Sequence, residues 1–216
     1  MDDGHALTVH GDAHGAAHHD FEIPYTVHAR PDTGVYNGKL GIWLFLASEV
    51  MLFGALFSTL VLLRTSAPTW PHGKAILNVP LATVNTFVLI ASSVTVVLAW
   101  AYLRLGDLKK GKIFLTLTLL CGFGFLGIKT IEYGTKFSHH QFPSTNNFFA
   151  TYYVMTGLHG LHVIGGMIVF AYLLLTADKW YAEKRDQFTN RVEVTGLYWH
   201  FVDLVWIFLF PTLYLL

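Results

Sequence analysis

The chain has 216 residues, of which 53% are hydrophobic, 15% aromatic and only 13% charged, about half the charged share of an average soluble domain. Fourteen basic and fourteen acidic residues give a formal net charge of zero, so there is no basic surplus for nucleic acid, and the single cysteine, Cys121, excludes an intrachain disulfide framework and a cysteine-only metal site. Mean hydropathy is +0.47, the balance of a membrane protein.

Residues 1–38 differ in kind from the rest. They hold six of the twelve histidines (His5, His10, His14, His18, His19 and His28) among Gly, Ala and Asp, with no long apolar run. No charged n-region followed by an apolar h-region is present, so no cleavable signal peptide is read. The expectation is a disordered or loosely docked His-rich tail. His-rich tracts can bind metal, but the irregular spacing favours a solvated tail.

From Leu40 onward the chain is a series of apolar runs. A helix rises about 1.5 Å per residue, so roughly 20 residues cross a hydrocarbon core about 30 Å thick. Five runs meet that length, at about 40–63, 83–105, 113–131, 149–175 and 197–216. The predicted fold is an all-α integral membrane protein with five transmembrane helices in residues 39–216. Pro68 and Pro71, Gly106 and Gly111, and Pro143 mark the breaks. The connecting regions on the N-terminal side carry ten Lys or Arg and those on the other side four, Arg64, Lys74, Lys129 and Lys136. That asymmetry predicts a cytoplasmic N-terminus and a periplasmic C-terminus.

Charges inside the runs are the informative residues. Glu49 lies mid-way along the first span, where a charge costs roughly 3 kcal/mol on insertion scales. It is expected to be protonated, hydrogen-bonded or turned to a protein interior, in a proton-handling or a structural role. Asn85 in the second span is expected to bond across helices, and Glu132, closing the third, to lie at the membrane interface. His159 and His162 are three apart and share a helix face. No further ligand set accompanies them, so interhelical hydrogen bonding is preferred to a metal site, with haem ligation open in principle. In the last span Glu193, His200 and Asp203 fall within about three turns, and the i,i+3 spacing would let His200 pair with Asp203, as a proton relay or a structural pair. Gly54 with Ser58, and the trio Gly122, Gly124 and Gly127, suggest tight helix packing. No catalytic residue and no metal site is read on the chain.

Several of these stretches resemble one family. Trp43-Leu44-Phe45-Leu46-Ala47-Ser48-Glu49-Val50, Val84-Asn85-Thr86 through Ser92-Ser93, Lys129-Thr130-Ile131-Glu132-Tyr133, Thr156 through Gly166, and Tyr198-Trp199-His200-Phe201-Val202-Asp203-Leu204-Val205-Trp206 resemble, in order, motifs of haem-copper terminal oxidase subunit III. The resemblance covers about residues 37–216 and is to the short five-helix bacterial form, which lacks the first two helices of the seven-helix members. One wall of the lipid-holding cleft of the long form is therefore in doubt, unless a partner supplies it.

The resemblance implies a non-catalytic subunit of an aa3-type cytochrome c oxidase, an enzyme complex that reduces oxygen to water and pumps protons. It implies haem and copper in partner subunits, none on this chain, and bound phospholipid. Subunit I would be the main contact, with subunit II and small subunits as further partners, in a bacterial inner membrane. Glu49, Glu132, His159, His162, His200 and Asp203 are the matched positions, with roles in hydrogen bonding, lipid contact and helix orientation. A haem-copper quinol oxidase subunit III is the nearest alternative. A small proton-coupled transporter is the alternative of another class, and the lack of an inverted repeat weighs against it.

Overall fold

The computed structural model describes residue 29, residues 34–71 and residues 73–216. Six α-helices follow in order: α1 (Asn37–Ser66), a short α2 (Gly73–Ile76), α3 (Val79–Leu105), α4 (Leu108–Ser138), α5 (Asn147–Glu183) and α6 (Arg185–Phe210). A π-helical turn, Pro211–Leu215, closes the chain. No strand occurs among the described residues. The five long helices are each long and apolar enough to cross a membrane. The six histidines of the tail lie outside the described residues.

Helix ends fall where side chains satisfy free backbone N–H groups. Asn78, Asp107 and Asn146 each cap a helix, accepting from the N–H of Leu81, Lys110 and Phe149 respectively. Asp107 is partly exposed, and the backbone N–H of Lys110 holds its carboxyl below the ordinary value of 3.8. Gly106 ends α3 at φ +98°, a left-handed conformation open to glycine and strained for most other residues. It lets α3 reverse into α4 through two residues. The helices outrun the apolar runs that foretell them: α4 extends to Ser138 and α6 begins at Arg185. Polar ends continue a helix once the membrane-crossing part is in place, so apolar length sets a minimum only.

Packing differs sharply between helices. Half of the α6 span is buried against 17% for α1. Helix α6 touches α1, α3, α5 and the π-turn, so it is the central post. The interior is aromatic: Trp199, Trp206, Tyr152, Tyr214, Phe125 and Phe170 are all less than 2% exposed. The outside is largely Leu, Val, Ile and Phe, as expected where the surrounding solvent is hydrocarbon.

The glycine expectation holds at one position of the four. A Cβ on Gly122 would meet Met167 Sδ at 2.9 Å, whereas Gly54 and Gly127 face nothing within 4 Å and Gly124 touches Val88 only at 4.0 Å. Gly122 of α4 and Gly166 of α5 together make room for the Trp199 ring of α6. Tyr36 lies in the stretch expected to be tail, yet it is buried and its hydroxyl donates to the Asn190 carbonyl at 3.1 Å. The packed unit therefore starts before residue 39.

Candidate functional site

Polar clusters hold the bundle together, and they account for most of the polar side chains singled out above within the spans. The first joins α1 to α5. Glu49 Oε2 lies 2.9 Å from His162 Nε2, with both side chains about one-seventh exposed. His162 Nδ1 lies 2.8 Å from the Leu158 carbonyl. A carbonyl only accepts, so Nδ1 carries a proton and donates. Nε2 of a neutral ring is then an acceptor, and Glu49 must donate to it as a carboxylic acid. The other consistent form is an imidazolium facing a carboxylate. Both forms hold one proton between the two atoms. His162 thus spends both ring nitrogens on protein partners, which leaves neither for a metal.

The second cluster surrounds Glu132, which is enclosed by protein side chains, with 5% exposure. Lys129 Nζ donates to Oε2 at 2.9 Å, and the Tyr152 hydroxyl donates to Oε1 at 3.1 Å. The Tyr214 hydroxyl lies 2.8 and 3.0 Å from the two carboxylate oxygens, and Lys136 Nζ lies 3.8 Å away. Lys129 also sits 4.4 Å from the centre of the Trp206 ring, a favourable place for a cation. The knot ties α4, α5 and the π-turn. Lys129 and Lys136 are buried within it, so two of the four basic residues assigned to the outer side are internal counter-ions.

The third cluster lies between α3, α4, α5 and α6. Trp199 Nε1 donates to Ser92 Oγ at 2.9 Å, and Trp206 Nε1 donates to Thr86 Oγ1 at 3.0 Å. Asn85 Nδ2 reaches the Phe125 carbonyl across α3 and α4 at 3.5 Å, the interhelical bond that was expected. His159 is 1% exposed, with its ring 5.6 Å from that of Phe125 and 5.1 Å from that of Trp206. Neither of its nitrogens has a hydrogen-bond partner among the described residues.

The anticipated His200–Asp203 pair does not form. His200 Nδ1 bonds instead to the Ser93 hydroxyl of α3. Asp203 is 4% exposed and neither oxygen makes a hydrogen bond among the described residues. On a helix, i,i+3 side chains are neighbours, but a partner on an adjoining helix can win, and Ser93 does. The trio is not a hydrolytic triad. There the base turns Nε2 to the serine and Nδ1 to the carboxylate, whereas here the serine is on Nδ1 and the carboxyl on neither nitrogen.

The fourth cluster sits at the start of α1, where Lys39 Nζ lies 2.7 Å from Glu193 Oε1. Lys39, Thr86, Ser93, Tyr152 and Tyr214 also enter these clusters and were not among the expected site residues, and Lys129 and Lys136 were expected only as charges on the outer side. Lys129, Glu132 and Lys136 have i,i+3 and i,i+4 spacing, a signal legible in the sequence. Nothing local announces Tyr214, 82 residues from its partner. Among the described residues, no group of three or more metal-ligating side chains comes together.

Comparison with known proteins places this architecture. The profile of the family described as Cytochrome c oxidase subunit III matches residues 18–216. The chain belongs to that family. A relative named cytochrome c oxidase subunit 3 from Bacillus sp. (strain PS3) is 34% identical over 182 residues, covering 83% of this chain and 86% of the relative. The protein of the same name from Bacillus subtilis (strain 168) is 34% identical over 207 residues, covering 88% and 93%. A quinol oxidase subunit 3 from the same organism is also 34% identical, over 185 residues, covering 86% and 89%. Family and five apolar helices together make this an integral membrane protein of the bacterial plasma membrane.

Proposed function

We propose that this chain is subunit III of an aa3-type cytochrome c oxidase in aerobic respiration, with haem and copper held by partner subunits. The family match over residues 18–216 carries the reading. Subunit I is the main contact, and subunit II and smaller subunits complete the complex. The chain's own task is to stabilise subunit I and its proton uptake during turnover. Membership of the family leaves no support for the transporter alternative. The quinol oxidase alternative stays as the second reading, because a relative of that name is equally identical.

The residues support a bracing role. Glu49–His162, the Glu132 knot, Asn85 and Lys39–Glu193 each tie two or more elements. An apolar groove of about 280 Å³ between α1 and α6, lined by Val50, Phe53, Phe57 and Phe208, suits an acyl chain of a bound phospholipid. The charge asymmetry supports a cytoplasmic N-terminus.

Purification from native membrane tests this function. A haem a spectrum with a copper-bearing donor subunit among the co-purifying chains is expected. Co-purification with haem-containing subunits that lack a copper-bearing donor would instead establish the quinol oxidase. Absence of any haem-copper partner would overturn both.

A further inference from the structure

We propose that Ser93, His200 and Asp203 form a proton-holding site inside the membrane, with the proton on the Asp203 carboxyl and exchanged through Ser93 and His200 into the cleft between α3 and α6. The proposal goes beyond the subunit assignment and does not depend on which donor feeds the complex.

Asp203 is the starting point. It lies within α6, 4% exposed, and both its oxygens are buried without a hydrogen bond among the described residues. An isolated carboxylate out of water is strongly disfavoured, and intramembrane carboxyls pair or neutralise. Among the described residues, the charged groups of the packed helices are already engaged. Lys129 on α4 is committed to Glu132 and Tyr214. His159 on α5 packs against Trp206, Glu49 on α1 is bonded to His162, and Glu193 on α6 is bonded to Lys39. The neutral acid is the form that these surroundings accept.

A neutral acid has a proton to donate, and Ser93 is held against this face of α6 by its bond to His200, one turn before Asp203. Ser93 Oγ is already bonded to His200 Nδ1. Rotation of the carboxyl toward Ser93 completes a directed chain: Asp203 O–H donates to Ser93 Oγ, and Ser93 O–H donates to Nδ1. The Nε2–H of His200 is left as the outer donor. His200 lines a cleft of about 180 Å³ between α3 and α6, together with Val96, Trp100 and Glu193.

The chain runs in either direction, because a hydroxyl both donates and accepts and the imidazole has two tautomers. With Asp203 ionised, Ser93 donates to the carboxylate and His200 Nδ1–H donates to Ser93. A proton then arrives at Nε2, the Nδ1 proton moves to Ser93 Oγ, and the Ser93 proton moves to Asp203. One proton enters, one is bound at the carboxyl, and the two hydrogen bonds reverse. No other group changes.

Infrared difference spectroscopy on the purified full chain with its co-purifying subunits tests the site. Wild type minus Asp203→Asn at neutral pH should show a protonated-carboxyl C=O band that shifts in D₂O. His200→Phe should keep that band and slow its hydrogen–deuterium exchange on the order of a hundredfold, the low end of what a positioned acid–base side chain contributes. Ser93→Ala keeps Asp203, and should shift the band frequency and slow its exchange similarly. This variant decides the matter where Asp203→Asn fails to assemble. Carboxylate bands in place of the C=O band, or equal exchange rates in wild type, His200→Phe and Ser93→Ala, would overturn the proposal.

Discussion

Glu49 of α1 and His162 of α5 share a single proton across 2.9 Å. The Leu158 carbonyl, by claiming Nδ1, is what makes the count definite. Helix α1 is the least buried of the five spans, so this bond is one of few polar ties holding it to the bundle. Glu49→Ala and His162→Ala should each destabilise the chain, and the double variant should lose less than the sum. A coupling of about 1–2 kcal/mol is expected from one hydrogen bond that both residues share. Denaturation in mixed micelles measures it, and simple additivity would show that the pair does not couple.

The Glu132 knot should respond asymmetrically. Glu132→Gln leaves Lys129 and Lys136 buried without their carboxylate, and should cost about 3 kcal/mol or more. Adding Lys129→Met in that background should recover part of the loss, because the unpaired cation is removed. The same denaturation assay reads both. A double variant less stable than Glu132→Gln alone would contradict the account.

Two glycines make opposite predictions. Gly166→Ala would place a methyl 2.7 Å from the Trp199 ring, and should destabilise by about 1–3 kcal/mol through overpacking. Gly127→Ala meets open space, and should be neutral or stabilise by about 0.5–1 kcal/mol, since alanine is the better helix former. Thermal unfolding in nanodiscs separates them, and tryptophan fluorescence should change only for Gly166→Ala.

Asp107 supplies a pH dependence. Its carboxyl titrates below 3.8 in the folded chain because it caps α4. A depressed folded value means that the contribution is present above the unfolded value and lost as pH falls through the folded one. Wild type should therefore exceed Asp107→Ala in melting temperature at neutral pH, and the gap should narrow below about pH 4, where an unperturbed aspartate gains its proton. A gap unchanged down to pH 2 would contradict the cap.

Much of the architecture was legible because lipid demands long apolar runs, and five such runs are plain to see. Glu49 and Asn85 could be recognised as needing partners because a polar side chain at their depth is expensive. The partners themselves were less legible. Glu132 closes an apolar run, and that position signals an interface. Its burial depends on Tyr152 and Tyr214, 20 and 82 residues away. His200 and Asp203 have pairing distance along one helix, but Ser93 enters from α3. Helical spacing reports neighbours on one surface and says nothing of what a second helix inserts.

The sequence distance between Glu132 and Tyr214 also has a meaning in time. At roughly 5–20 residues per second, 82 residues take on the order of 4–16 s to synthesise. For that interval α4 must enter the membrane with a carboxylate whose most distant partner does not yet exist. Lys129 and Lys136, one turn away on either side, travel with it. They are the partners present from the start, and the knot that braces α4 against α5 and the π-turn is complete only when Tyr214 arrives.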